Sequence, residues 1–327
     1  MKAFLLSLLL AASAVAAPSY ILNVSYDVTR EFYQEYNTVF ALAYEKKNGI
    51  TPTVDLSNGG SSKQARAVID GLEADVVTMN QDTDIDAIAK AGLVSTSWKS
   101  RLPNNAAPYT STIVFLVRKG NPKAIKDWGD LVSPGVSVIV PNPKTSGNGR
   151  YSYLAAWAYA KLRPGGSVAA AAEFVKALFQ NVPLLETGGR AATNAFVQKG
   201  IGDVLLTFES EVLQITKAFS PDQFEVVYPP VSILAEAPVS VVDAVVDKRG
   251  TRKLATDYLE YLWSDEGQRL AVKSYFRPRS EKLLAENAAI FPPLKLVSVD
   301  SAFGGWEAAQ QAHFNDGGYF DQIYQAK

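Results

Sequence analysis

The 327-residue sequence predicts an α/β protein in two lobes, each a mainly parallel sheet flanked by helices. Short apolar runs alternate with segments of helical period in two successive blocks, which is the pattern of strands joined by crossover helices. Several of these runs lead into a turn of small residues that opens a helix at once. The composition, 47% hydrophobic and 20% charged, is that of a globular chain long enough for two units.

The first block starts at Tyr20–Tyr26, a strand, followed by a helix from Thr29 to about Lys47. Phe32, Tyr36, Val39, Phe40 and Ala43 recur there at helical spacing, and Asp27 or Thr29 can cap it. Pro52–Leu56 is the next strand, and Asn58-Gly-Gly-Ser-Ser62 opens a helix with Ala65, Val68, Ile69 and Leu72 on its apolar face. Ala74–Met79 is a third strand, before a helix from Ile85 to Gly92. Trp98 to Thr110 is irregular, and Thr112–Val117 is a strand. In the second block Val136–Val140 is a buried strand. The turn Thr145–Gly149 follows it, and then a helix carrying Tyr151, Tyr153, Trp157 and Tyr159, of which Tyr151 is the ring placed to reach a crevice. Helices over Ala169–Gln180, after Arg190, and over Glu209–Ala218 alternate with strands at Val182–Leu185, Asp203–Phe208 and Phe224–Tyr228. Ser232–Val246 is read as extended, and Arg252–Trp263, Asp265–Ser274 and Trp306–Phe314 as helices. The stretches Tyr109–Val117 and Val231–Val246 are the expected crossings, giving lobe I as 17–111 plus 231–327 and lobe II as 112–230; one continuous large sheet is the alternative.

Residues 1–16 are expected to be a signal peptide: Lys2, an apolar stretch from Ala3 to Ala12, and the cleavage pattern Ala14-Val-Ala16. No stretch is long and apolar enough for a membrane span. The net charge of -1 argues against a nucleic-acid partner. With no cysteine there is neither disulfide nor thiolate chemistry, and the single histidine, His313, leaves no histidine triad and reads as structural or surface. G-x-S-x-G and G-x-x-x-x-G-K-[ST] are absent, and Gly147-x-Gly149 lacks the rest of a dinucleotide fingerprint. Asp75, Asp82, Asp84 and Asp86 lack a calcium-loop pattern and read as capping, solvated carboxylates. Glu209 and Glu211 stand two apart and do not share a helix face. No cofactor, metal or catalytic group is expected.

Four places share one grammar of strand, small or capping residues, then helix: Ser25-Tyr-Asp27, Gly59-Gly-Ser61, Ser146-Gly-Asn148 and Gly188-Gly-Arg190. Such starts aim unpaired N–H groups outward at the positive end of a helix dipole, the geometry of an anion site. Strand carboxyl ends of an open α/β sheet face one crevice, so the four can converge there. Each supplies roughly half a positive charge, enough together to offset a dianion without lysine or arginine.

Ser25-Tyr-Asp-Val-Thr-Arg-Glu31, Asn58-Gly-Gly-Ser-Ser-Lys-Gln64, Arg101-Leu-Pro-Asn104, Phe115-Leu-Val-Arg-Lys-Gly-Asn-Pro122, Pro141-Asn-Pro-Lys-Thr-Ser-Gly147, Gly200-Ile-Gly-Asp-Val204 and Ala302-Phe-Gly-Gly-Trp306 resemble the periplasmic sulfate/thiosulfate-binding proteins of ATP-driven importers. The resemblance runs over almost the whole chain after residue 16. It implies a type II solute-binding fold that closes on its ligand, and a dehydrated dianion held by neutral donors. Matched by motif, these donors would be the backbone N–H groups of Asp27, Ser61, Gly147, Asn148 and Gly189 with the hydroxyl of Ser146. Asn148 stands where the family often has a second glycine, and Phe208 where sulfate-specific members have a tryptophan whose indole N–H is a donor. Phe208-Glu-Ser-Glu-Val212, Met79-Asn-Gln81 and Thr187-Gly-Gly189 are similar to the thiosulfate-binding branch. The resemblance further implies a periplasmic monomer that delivers sulfate or thiosulfate to a membrane permease and its ATPase. The alternatives are a protein for another tetrahedral oxyanion, molybdate or phosphate, or an exported hydrolase of anionic esters.

Overall fold

The computed structural model describes residues 19–218 and 223–324, so the expected signal peptide lies outside the described residues. One of the two inner strands of the first sheet is β1, Tyr20–Tyr26. It pairs in parallel with β2, Thr53–Gly59, from Tyr20 opposite Thr53 to Tyr26 opposite Gly59. It also pairs in parallel with β3, Val76–Thr78. The crossovers are α1, Arg30–Asn48, and α2, Ser61–Ile69, while α3, Asp82–Lys90, follows β3.

The buried face of α1 carries Phe32, Tyr33, Tyr36, Phe40 and Tyr44. Val39 and Ala43, expected on that face, are half-buried; the larger rings of Tyr33 and Tyr44 reach the core in their place, since aromatic rings bury more area. The helix α3 starts three residues earlier than expected, so Asp82 and Asp84 fall in its first turn. There they are buried, not solvated, as is Asp75. The Asp75 carboxylate accepts from Leu22 N at 2.8 Å, Arg249 Nη1 at 2.6 Å and Thr251 Oγ1 at 2.5 Å. The irregular stretch before residue 110 contains the single turn α4, Pro103–Ala106.

The long strand β4, Tyr109–Arg118, leads into the second sheet. In chain order follow β5, Val138–Pro141; α5, Gly147–Leu162; α6, Val168–Gln180; β6, Leu185–Glu186; α7, Gly189–Val197; β7, Val204–Phe208; α8, Glu209–Ala218; and β8, Phe224–Val227. Here β5 lies parallel between β7 and β6, while β4 runs antiparallel to β7 and β8. Nearly every residue of α5 from Gly147 to Ala160 is buried. That burial on all sides accounts for its lack of an amphipathic stripe.

The chain returns along β9, Val231–Glu236, whose last residues pair antiparallel with Thr110–Thr112 of β4. Core membership changes along both strands. Tyr109 packs with the first sheet, whereas Ile113, Phe115 and Val117 pack with the second; Ile233 and Ala235 belong to the second core, Ala237 and Val239 to the first. Next comes β10, Val239–Val241, antiparallel to β3. The expected extended stretch then ends in a helix, α9, Asp243–Arg249. Its valines mimic a strand, but Asp243 lies in its first turn and accepts from Ser95 N at 2.8 Å and Arg252 at 2.8 Å, which fixes a helix start.

The remaining elements are α10, Arg252–Glu260; α11, Asp265–Lys273; β11, Arg277–Pro278; α12, Glu281–Glu286; β12, Lys295–Val297; α13, Val299–Phe303; α14, Trp306–Ala309, continued by a π-turn to Phe314; and α15, Tyr319–Ile323. Packing here departs from the expected inclusion of the whole C-terminal part in lobe I. Val299, Trp306, Ala309, Phe314 and Phe320 join the core of the second sheet, because the fully buried α5 needs an apolar cover on its outer side.

Candidate functional site

Four helix starts meet at one cavity of about 560 Å³ between the two sheets. The chain leaves β1 at Tyr26 and turns at Asp27 into a short 3-10 turn ahead of α1. Thr29 Oγ1 donates to Tyr26 O at 2.7 Å and shares a 2.6 Å hydrogen bond with Ser25 Oγ, which fixes this turn. Neither Asp27 nor Thr29 caps the helix through its side chain, contrary to expectation; Asp27 instead pairs with Arg30 at 3.3 Å. At the second start the N-cap is Gly60 and at the fourth it is Gly188, and neither can supply a side-chain cap. At the third, Ser146 is the N-cap of α5 and its Oγ accepts from Gly149 N at 3.3 Å.

Each first-turn N–H group lacks an intrahelical acceptor. The cavity at these starts is lined by Asp27, Ser61, Ser146, Gly147, Asn148, Gly189 and Phe208, so every residue matched by motif as a ligand group borders the same space. The basic lining residues Lys63 and Arg190 are exposed, so positive charge at the buried end is left to main-chain dipoles.

Side chains behind this lining are engaged elsewhere. Ser61 Oγ donates to Asp84 Oδ2 at 2.5 Å, so its hydroxyl is engaged by a carboxylate. Burial raises the Asp84 carboxyl above the usual carboxylate range, and hydrogen bonds from Ser61 and Ser62 oppose that shift. Asn148 Nδ2 donates to Thr207 Oγ1 at 2.7 Å. Thr207 and Thr193 donate to Glu211 at 2.5 and 2.7 Å, so a satisfied carboxylate lies beneath the start of α7. Phe208 is the last residue of β7, opposite Ile113 of β4, with its ring edge-on to Tyr151 at 5.7 Å.

Other expectations fall outside the cavity. Tyr151 does not reach it; the ring is buried and its hydroxyl donates to Glu236 O at 3.1 Å. Glu209 and Glu211 part ways: Glu209 forms a buried ion pair with Arg277 at 2.6 Å, and Glu211 serves the threonines. His313 is a core residue, 3.1 Å from Tyr153 Oη and packed on Trp157; burial, then Lys161, pushes its pKa down to about 4. Tyr26, Asn80, Thr145 and Thr187, named only as members of motifs, border the cavity as well, and so does Asn194, which no motif contained. For Asn80 a signal existed: it stands at the carboxyl end of β3, where strand ends face the crevice. Gly147 shows why a small residue is needed at the start of α5. A Cβ there would lie 2.6 Å from Nδ2 and 2.7 Å from Cγ of Asn80, across the cleft.

Two sheets bridged by paired strands, with a cleft lined by helix starts, are the architecture of solute-binding proteins. The chain belongs to the bacterial extracellular solute-binding protein family, whose model matches residues 33–277. It is 57% identical to the thiosulfate-binding protein of Pseudomonas aeruginosa, over 99% of this chain and 98% of that one. To the sulfate-binding protein of Escherichia coli it is 53% identical, over 97% of each. Among solved structures, the sulfate-binding protein SubI of Mycobacterium tuberculosis superposes with a TM-score of 0.82 at 32% identity, over 91% of this chain and all of that one.

Proposed function

We propose that this chain captures a sulfur oxyanion, thiosulfate or sulfate, and delivers it to a membrane permease driven by an ATPase. The carrying observation is the convergence of four helix starts on one cavity with no buried lysine or arginine among its lining residues. Half a charge from each start sums to roughly two, the charge of the ligand. The backbone N–H groups of Asp27, Ser61, Gly147, Asn148 and Gly189 and the Ser146 hydroxyl are the donors. A protonated phosphate brings an O–H that needs an acceptor, and the one carboxylate among the lining residues, Asp27, pairs with Arg30 at 3.3 Å. Phe208 offers an apolar ring where a weakly accepting terminal sulfur fits, which favours thiosulfate alongside sulfate.

Lobe I comprises 19–111 and the chain from about 237 to the end of α12, and lobe II comprises the described residues of 112–235 with the C-terminal segment packed on it; the β4–β9 pair is the hinge. The lobes close on the anion because each supplies two of the helix starts. The protein acts in the periplasm as a monomer after loss of residues 1–16, and carries out no catalysis. Calorimetric titration with sulfate, thiosulfate, phosphate and molybdate tests the reading. Tight binding of thiosulfate and sulfate with weak phosphate is expected. Preference for phosphate or molybdate refutes it, and sulfate bound far more tightly than thiosulfate removes the role given to Phe208.

A further inference from the structure

One polar side chain of the cavity has no part in the donor scheme. Asn80 follows Met79 beyond β3 and is 9% exposed. Its Oδ1 is buried without a hydrogen-bond partner among the described residues. The main chain of this residue is held firmly: its N–H donates to Ser61 Oγ at 3.1 Å, and Ser61 is tied to Asp84. The main chain is therefore held while Oδ1 stays unpaired, and the amide lies against Gly147 at the start of α5, on the opposite side of the cleft. Tyr26, Asn80 and Phe208 form a wall shared by the cavity and a small void behind it. The ring of Phe208 brings no donor to that wall.

Buried amides in native proteins find partners, and one left without protein partners at a cavity wall points to a ligand. Which end of the amide faces inward is decided by what fills the cavity. Resting on the oxyanion reading above, we propose that Asn80 turns its amide nitrogen to the bound sulfur oxyanion and donates a hydrogen bond to it on the Phe208 wall. A neutral amide fits a cage without cations: it adds a donor and no charge. It also joins the wall of the first sheet to the start of α5, so the bond it makes counts only when both sides of the cleft are in place.

Calorimetric titration of the exported chain with thiosulfate and with sulfate tests this in wild type, Asn80→Ala, Asn80→Asp and Ser146→Ala, with unfolding of each in the absence of anion as a control of folding. Asn80→Ala should weaken both anions about 10- to 100-fold, the span for one hydrogen bond to a charged group. Asn80→Asp, nearly isosteric, should abolish binding at neutral pH by setting a carboxylate against the dianion. Affinity of Asn80→Ala within about twofold of wild type, while Ser146→Ala is impaired, overturns the proposal and leaves the oxyanion reading standing. Should Asn80→Ala fail to fold, undiminished affinity of Asn80→Asp overturns it equally. A wild type that binds neither anion overturns the functional reading itself.

Discussion

Replacing Gly147 by alanine isolates what the cleft requires from what the fold requires. The added Cβ would lie 2.6 Å from Nδ2 of Asn80, closer than side-chain carbons are found. The clash is across the cleft, between the start of α5 and the residue after β3, and not within one sheet. The main chain of Asn80 is anchored on Ser61, so relief must come from rotation of its side chain. Overpacking of this kind costs about 1–3 kcal/mol. If it is felt only when the lobes close, it weakens binding roughly 5- to 150-fold and leaves the empty protein as stable as before. Urea unfolding with and without thiosulfate reads both quantities. At a ligand concentration 100 times Kd the wild type gains about 2.7 kcal/mol, and a variant bound roughly 30-fold more weakly gains about 0.9 kcal/mol under the same conditions. Gly149→Ala is the contrast. Its Cβ would press on the Pro141 carbonyl and lie 2.8 Å from the Asn142 carbonyl carbon, backbone of its own strand exit. That variant should lose about 1–3 kcal/mol with or without anion. Equal loss of ligand-free stability in the two variants, with thiosulfate affinity unchanged in Gly147→Ala, refutes the reasoning.

Asp27→Ala should keep thiosulfate affinity within about threefold of wild type by calorimetry, because the proposed donor is its N–H and its carboxylate pairs outward with Arg30; a large loss means that the side chain takes part. Arg277→Met should cost about 3–5 kcal/mol in urea unfolding, since it strands the Glu209 carboxylate, fully buried and with its pKa already raised by burial; a cost near zero shows that the pair is not desolvated. His313 has a pKa pushed from 6.5 down to about 4 in the folded state, so its contribution to stability is present above pH 6.5 and is lost as pH falls toward 4. The loss amounts to about 3 kcal/mol. Relative to wild type, His313→Phe should therefore gain about that amount between pH 7 and pH 4, and a pH-independent difference contradicts the buried neutral imidazole.

The strand-to-helix turns of the site were legible because their signal is local. A run such as Val136–Val140 followed by Thr145–Gly149 sets strand, turn and helix start within a dozen residues, and the parallel topology does the rest. The C-terminal segment was not legible in the same way. Trp306, Phe314 and Phe320 carry no periodic mark of which sheet they cover, and their place follows from an α5 that is apolar on every side. The valines before Val246 read as strand because β-branched residues favour it, and tertiary anchoring of Asp243 overrode that preference. Tyr151 misled for a related reason: an aromatic residue beside a ligand turn can point to either side, and the Glu236 carbonyl drew its hydroxyl inward. Asn80 was marked only as part of Met79-Asn-Gln81 and not as a ligand group, because nothing around it in the sequence is glycine or serine, although the end of β3 faces the same crevice.

The donors proposed at the helix starts have a consequence for how such a protein can change over generations. A main-chain N–H is encoded by no particular codon. Substitution at Asp27, Ser61 or Asn148 alters what hangs behind the cage and leaves its donors in place, whereas Gly149, pressed on backbone carbonyls, tolerates almost nothing and Gly147 only what the Asn80 side chain can yield. The capacity to hold a dianion is thus buffered against point mutation, and drift in preference among anions is channelled to the few positions that present side chains to the cavity. Phe208 and Asn80 share one wall, and neither supports the fold through its polar chemistry. Descendants of this chain would be expected to diverge in ligand by exchanging those two residues while the glycine turns stay fixed.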